Sequence, residues 1–275
     1  MKDYIEYWDE VISLWSQGQG DIKSIPENEK CWFVEGTNLH SNLMPEPYWG
    51  DPGRCSAVLL NYNPGGPKGI PPIEDNCHIN HVKDPVDISK MSGAMFKKYS
   101  DVAKRFPWKD KNSEYAFVTS EKQKASKNWM LRRNKWICSL VGETNLPPFF
   151  MEICGWHSYN WKGVRFKSNS RYDAKPLMDY LKKHILPVLM YAIPKSQLGI
   201  GLCVGKQFAD VILPVLGFKA IMEPVKPITD KHRYFQAFEQ DGVKILCTWS
   251  WASNNHPSDE YLAYEKELIS KLTTK

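Results

Sequence analysis

The chain lacks closely spaced cysteines. Its seven cysteines are scattered, and no Cys-x-x-Cys pair or comparably close pair occurs. Close pairs are the usual signature of structural zinc sites, and an even set is typical of secreted disulfide scaffolds. The odd, dispersed set predicts reduced, buried thiols in a reducing compartment.

The chain also lacks long apolar runs. No uninterrupted run approaches the roughly 20 residues of a membrane span. The first residues, Met1-Lys2-Asp3-Tyr4, carry an acidic side chain where a signal peptide needs a basic and then an apolar stretch. We therefore expect a cytoplasmic protein with no membrane partner.

Neither sign of charge dominates. The 36 basic and 31 acidic residues give a net charge of +5, which favours a polyanionic partner only mildly. The length of 275 residues and the hydrophobic content of 42% are enough for a full core. They predict a single domain over residues 1–275, which we expect to be a monomer.

Basic residues cluster in one stretch, between Lys122 and Lys135. Tryptophans interrupt this stretch, and Glu121 at its edge is the nearest opposing charge. It is either a solvated helix face or a surface that contacts DNA phosphates. The candidate phosphate contacts are Arg132, Arg133 and Lys135.

Two motifs follow apolar runs of strand length. The run that begins at Ser56 continues through Leu60 and breaks into a Pro-Gly-Gly turn at Pro64-Gly65-Gly66. Asn61 and Asn63 are therefore expected at the carboxyl end of a strand, where Asn61 is a candidate for binding the base. The run from Val243 to Cys247 precedes His256-Pro257-Ser258. Open α/β sheets bind ligands at the carboxyl ends of their strands, so the two motifs can converge on one pocket.

This pair of motifs resembles the uracil-DNA glycosylase superfamily. Its first motif places Asn or Asp before Pro at a strand end, and its second is His-Pro-Ser or close to it. A third match, Gly199 to Ala209, is similar to the family's late strand that runs through Gly-Lys into a helix. The three matches occur in the family's order over residues 55 to 265. The resemblance implies a three-layer α/β/α sandwich around a mostly parallel, four-stranded sheet.

The wider pattern agrees with an α/β fold. Ile5, Trp8, Ile12 and Trp15 recur at helical spacing and predict a packed first helix that ends near Gly18. Strands then alternate with helices, which predicts a mostly parallel sheet. Residues 66–95 are rich in Pro, Asp and Asn and predict a long loop insertion.

The resemblance assigns catalysis to Asn63 and His256. Cleavage of an N-glycosidic bond leaves positive charge on the sugar and negative charge on the departing base. The Asn63 carbonyl can orient a water, since an oxocarbenium-like sugar needs only a weak nucleophile. His256 can donate a hydrogen bond to the base oxygen as its charge develops.

The base identity depends on one aligned position. Where uracil-removing relatives have an Asn, this chain has Glu152, whose carboxylate accepts a hydrogen bond from the exocyclic amine of cytosine. A protonated Glu152 can also donate to the ring nitrogen. Together with the long loop, this suggests a bulky modified cytosine, as removed by relatives that attack hypermodified phage DNA in antiviral defence. The alternative is a one-residue misalignment, or Asn145 as the family Asn, which returns the prediction to a uracil-DNA glycosylase.

A glycosylase must flip its target nucleotide out of the duplex. Gly65 and Gly66 permit close approach of the backbone, and Ser258 can bind a phosphate near a helix start. Tyr261 or Leu262 is the candidate wedge, although Asp259 and Glu260 replace the family's usual residues after the Ser. Candidates for stacking on the flipped base are Tyr62, Phe96 and Trp156.

No cofactor or metal is predicted. Cys77-His78-x-x-His81 fits no common zinc spacing, and the cysteines provide no set for an iron-sulfur cluster. Gly205-Lys206 fails as a phosphate-binding loop because Ile200 stands where a Gly is required and Gln207 follows the Lys. A DNA-binding module without turnover is the remaining rival.

Overall fold

The computed structural model describes most of the chain in separate ranges: residues 2–18, 20–33, 39, 41, 45–62, 100, 103, 132–142, 144–157, 173–226, 234–248 and 258–274. These residues group into two compact units, each built from three separated parts of the chain. The first unit takes its described residues from 1–49, 62–127 and 152–180, and the second from 50–61, 128–151 and 181–275. The single domain predicted over residues 1–275 stays a prediction.

The strands form one mixed sheet. Their bounds are Tyr48–Trp49 (β1), Val58–Asn61 (β2), Phe149–Glu152 (β3), Gly201–Val204 (β4), Lys219–Ala220 (β5), Phe235–Gln240 (β6) and Val243–Thr248 (β7). The order across the sheet is β1-β3-β2-β4-β7-β6-β5. The α/β class is confirmed, but the predicted mostly parallel, four-stranded sheet is wrong, because the described residues contain seven strands in one sheet with both parallel and antiparallel pairs.

Three parallel strands lie together in the second unit. β2 pairs with β4 through Val58 and Gly201, and β4 pairs with β7 through Gly201 and Ile245. Nearly every residue of these strands is buried. Continuous burial explains their short, uninterrupted apolar runs, which are typical of parallel strands.

An antiparallel hairpin extends the sheet beyond β7. β6 and β7 are joined by Asp241 and Gly242, both with positive φ (49° and 79°). Positive φ at both central residues matches the twist of a two-residue hairpin, and Asp-Gly is a favoured pair for it. The Asp-Gly pair is therefore a local signal for this hairpin, and β6, together with β5, accounts for part of the difference from the predicted number of strands.

The helices follow the amphipathic pattern of the sequence. The first helix is confirmed as Lys2–Gln17 (α1), which buries Trp8 and Trp15. The last helix starts where Ser258 accepts a hydrogen bond from the Tyr261 amide at 3.3 Å, as its capping sequence predicts. The α-helices whose bounds lie in the described ranges are α1, Glu27–Lys30 (α2), 132–141 (α3), Lys175–Tyr180 (α4), Leu186–Ala192 (α5), Leu213–Leu216 (α6) and Asp259–Thr273 (α7).

Two helical runs contain a wider turn before a proline. Leu181–Ile185 precedes α5 and Phe208–Ile212 precedes α6, and both segments are π-helical. Pro187 and Pro214 stand at the second position of the helix that follows. Proline has no N–H to donate to the preceding turn, so the ladder is interrupted there.

Among the helices in the described ranges, none combines the length and apolar character that crossing a bilayer requires.

Candidate functional site

The carboxyl ends of β2, β4 and β7 lie side by side in the second unit. Leu60 pairs with Cys203, and Val204 pairs with Thr248. Neighbouring strands are about 4.8 Å apart, so the ends of β2 and β7 are separated by about 10 Å across β4. This distance is on the scale of one nucleotide base with its contacts.

The two catalytic candidates follow these strand ends in sequence. Asn63 comes two residues after the end of β2, and His256 comes eight residues after the end of β7. Both lie outside the described residues, as do Gly65, Gly66, Phe96, the 66–95 insertion and the Cys77-His81 stretch. The structure therefore describes the strands that precede the two motifs in the chain.

Asn61 is the last residue of β2 and is half-buried. Its Nδ2 is enclosed and has no hydrogen-bond partner among the residues that the structure describes. A buried amide nitrogen without an acceptor is costly. The role of Asn61 in binding the base stays a prediction.

The turn after β4 is tied to the end of β7. The Gly205 amide donates to the Thr248 carbonyl at 2.8 Å, and the Cys247 thiol lies 3.4 Å from the Gly205 carbonyl. Gly205 has a φ of 122°, which only glycine adopts readily. The Gly-Lys match thus occupies the middle position of the three strand ends.

No family model, curated protein or solved structure matches this chain. The chemistry of the site must therefore be inferred from its own residues and from the resemblance of its motifs.

The proposed base reader is the last residue of β3, in the first unit. Glu152 is only 6% exposed, and its amide donates to the Pro47 carbonyl at 2.9 Å. The phenol of Tyr4 lies near this carboxylate, and its ring is 5.7 Å from that of Tyr48. Glu152 is therefore a buried carboxyl group beside an aromatic side chain of α1, with little access to water.

Tyr62 is a candidate for stacking on a flipped base, and it lies within the described residues. It is half-buried, and its carbonyl accepts a hydrogen bond from the Cys154 amide at 2.9 Å. Trp156, the other described candidate, is fully buried and packs 5.0 Å from the Phe33 ring. Stacking on a base is not compatible with that position, so Trp156 is a core residue here.

Glu29, a buried carboxylate that no sequence pattern indicated, accepts a hydrogen bond from Trp156. Glu29 is fully buried on α2, and its two oxygens accept from the Tyr7 hydroxyl at 2.5 Å and from the Trp156 indole at 2.8 Å. Burial raises the pKa of Glu29, and the hydrogen bonds from Tyr7, Trp156 and the nearby Tyr180 hydroxyl lower it in part. Trp156 is 127 residues away in sequence, so no local pattern predicts this contact.

A second buried carboxylate lies on α7. Glu265 is fully buried and accepts from the Trp136 indole of α3 at 2.8 Å. Burial raises the pKa of Glu265 to about 8, against the lowering effect of the indole. The signal that could have revealed it is its spacing, since it shares a helix face with the buried Leu262 and Ile269.

The predicted DNA wedge is buried in this structure. Tyr261 is 3% exposed, shares a 2.5 Å hydrogen bond with Thr248 and packs 4.8 Å from the Phe235 ring. Leu262 is also buried. Insertion of either side chain between bases would require it to leave the core, so the geometry does not favour this prediction. Ser258, in contrast, is exposed at the start of α7.

The predicted phosphate contacts differ in exposure along α3. Lys135 is exposed and Arg132 is half-buried. Arg133 is 7% exposed, and its guanidinium lies 5.9 Å from the centre of the Trp136 ring. Arg133 therefore packs within the second unit, and Lys135 is the best-exposed of the three for a phosphate.

Asn145, the alternative base reader, is exposed in a bend just before β3. It belongs to the second unit, whereas Glu152 belongs to the first.

Proposed function

We propose that the protein is a monofunctional DNA glycosylase that flips out a modified base and hydrolyses its N-glycosidic bond. The best candidate for the base is a bulky modified cytosine, as in phage DNA. The proposal includes a three-layer α/β/α arrangement of the uracil-DNA glycosylase type, a monomeric state and a cytoplasmic location. It requires no cofactor.

One observation carries the proposal. The strand before Asn63-Pro64-Gly65 and the strand before His256-Pro257-Ser258 are both parallel neighbours of β4, so the chain leaves the sheet at the same edge on its way to each motif. Motifs nearly two hundred residues apart thereby leave from strand ends about 10 Å apart. Two short sequences that matched a family by chance would not need to follow strands that end at the same edge of the sheet.

The two motif residues have complementary roles in this proposal. The Asn63 carbonyl orients a water below the sugar, and the His256 imidazole donates a hydrogen bond to the departing base. Neither role needs a charged side chain. Both interactions are strongest in the transition state, which is the condition for catalysis.

Base choice rests on Glu152. A buried carboxylate accepts from an exocyclic amine and mismatches the carbonyl of uracil. Its low exposure supports a role in recognition, because a hydrogen bond discriminates best where water cannot replace it. The same burial also suits a core carboxylate near Tyr4, and in that case Asn145 reads the base and the substrate is uracil.

The test is release of free base from oligonucleotides and phage DNAs that carry different bases, measured by mass spectrometry. We expect abasic sites that break in alkali while the backbone is intact beforehand. Asn63→Ala and His256→Ala should each slow release by about 100-fold or more. Asn28→Ala, at an exposed position on α2, is the matched control and should leave the rate unchanged.

Wild-type rates in both variants, on a substrate the protein cleaves, would place the active site elsewhere. DNA binding without release of any base would instead support the module without turnover.

A further inference from the structure

Four segments of the first unit meet at the carboxylate of Glu29. Tyr7 reaches it from α1 and Trp156 from the chain after β3, while the Tyr180 hydroxyl of α4 lies beside it. Glu29 itself is on the four-residue helix α2, which is too short to be stable alone. A buried carboxylate is tolerated only when donors satisfy it, so these contacts must form together.

The segment that contains Trp156 also includes one predicted site residue and contacts another. Within residues 152–157, the Glu152 amide donates to Pro47 and the Cys154 amide donates to Tyr62, both at 2.9 Å. The Gly155 carbonyl accepts from the Glu46 amide at 2.8 Å. The Tyr62 carbonyl belongs to the peptide bond that leads into Asn63.

Packing leaves this segment little room to shift. A Cβ on Gly155 would lie 2.6 Å from Cη2 of Trp8, so the backbone approaches α1 closely here. The Trp156 ring lies 6.5 Å from Trp8 and 5.0 Å from Phe33. The polar end of this ring is its indole N–H, and Glu29 accepts from it.

We infer that Glu29 is a positioning residue for the active site. By accepting from Trp156, it fixes residues 152–157, which include the backbone of Glu152 and which contact the Tyr62 carbonyl before Asn63. Glu29 acts through these residues and does not contact the substrate. The inference rests on the proposed function for its effect on catalysis, but its effect on the segment is independent of that function.

The test compares Glu29→Gln and Trp156→Phe with the wild type. Each variant should lower the single-turnover rate of base release by about 10-fold to 100-fold, with the KM for DNA changed by less than about twofold, because misplacement affects the transition state more than binding. The double variant should be no slower than the slower single variant, since both substitutions remove one interaction. Glu27→Gln is the control, because Glu27 is on the same helix and pairs at the surface with Lys30.

The second measurement needs no activity. Hydrogen exchange of the Cys154 amide, followed by mass spectrometry of peptides from residues 150–157, should be at least about 10-fold faster in Glu29→Gln and Trp156→Phe than in Glu27→Gln. Tyr7→Phe, which removes one donor and keeps Glu29, is the milder variant if Glu29→Gln does not fold, and it should give a smaller change of the same sign.

Unchanged exchange in folded Glu29→Gln and Trp156→Phe would overturn the inference. Faster exchange with unchanged base release would overturn its link to catalysis. A wild type that releases no base from any substrate would remove the proposed function, and the exchange result would still decide whether Glu29 fixes the segment.

Discussion

At the scale of single residues, the chain contains buried carboxylates in unusual surroundings. Glu29, Glu152 and Glu265 are each buried, although Glu is rarely so in soluble proteins. Glu29 and Glu265 accept from tryptophan indoles. An indole N–H can only donate, so a carboxylate is a suitable buried partner for it.

Glu152→Gln should slow release of a modified cytosine by about 10-fold to 100-fold. The amide keeps the shape but loses the negative charge that accepts from the exocyclic amine. Single-turnover assays should compare it with Glu10→Gln, an exposed position on α1. Efficient removal of plain uracil by the wild type, at a rate that Glu152→Gln does not alter, would make Glu152 a core carboxylate and would favour Asn145 as the residue that reads the base.

At the scale of elements, α7 connects the second motif with the core. Its cap residue, Ser258, is two residues after His256, and its buried face includes Tyr261 and Glu265. Two properties of this helix can be tested separately: the cap and the buried carboxyl group.

Ser258→Ala should lower the free energy of unfolding by about 1 kcal/mol, because the Tyr261 amide loses its acceptor. Ser258→Asp should keep the cap but repel phosphate, so it should weaken DNA binding with little loss of stability. Urea unfolding and fluorescence anisotropy with labelled DNA measure the two effects, with the exposed Ser270→Ala as control. Wild-type DNA affinity in Ser258→Asp would restrict Ser258 to its capping role.

Glu265 should make stability depend on pH. Its folded-state pKa of about 8 lies above the ordinary value of 4.5, so between these pH values the folded state keeps a proton that the unfolded state releases. The contribution of Glu265 to the free energy of unfolding is fully present below about pH 4.5. It is lost as the pH rises to about 8, and the loss is on the order of a few kcal/mol.

The free energy of unfolding, measured in urea at pH 5, 6.5 and 8, should therefore fall less with rising pH in Glu265→Gln than in the wild type. Glu29 also has a raised pKa and contributes a slope of the same sign to both proteins, so their difference isolates Glu265. The exposed Glu260→Gln should follow the wild type. Parallel curves for Glu265→Gln and the wild type would mean that the Glu265 carboxyl ionises in the folded state as it does in the unfolded chain.

The elements that can be predicted from sequence are those whose own residues have a clear pattern, such as helical periodicity or a turn pair. α1 and α7 have apolar faces at helical spacing, and Asp241-Gly242 specifies its hairpin turn. β1 and β5 have two residues each and exist through their partners, so no periodicity reveals them. For the candidate site, the sequence motifs propose Asn63 and His256, which lie outside the described residues. The contacts of Glu29 and Glu265 could not be predicted from local sequence, because their tryptophan partners are 127 and 129 residues away.

At the scale of the whole molecule, the modest net charge makes the distribution of charge decisive. A net charge of +5 cannot by itself explain binding to DNA, so specific cations must contact phosphates if the proposed function holds. On α3, the candidate phosphate contacts predicted from sequence are Arg132, Arg133 and Lys135. The structure separates them, because Arg133 packs on Trp136 and Lys135 is exposed.

Lys135→Gln should therefore weaken binding to all DNA sequences alike and reduce the slope of log affinity against log salt by about 0.9 for duplex DNA. Anisotropy titrations from low to moderate salt measure the slope. Lys266→Gln, an exposed position on α7, loses the same charge and should leave the slope unchanged. Arg133→Gln should mainly lower the free energy of unfolding, because the buried guanidinium loses its packing on Trp136. If Lys135→Gln keeps the wild-type slope, the exposed side of α3 is a solvated helix face and the DNA contacts lie on other parts of the chain.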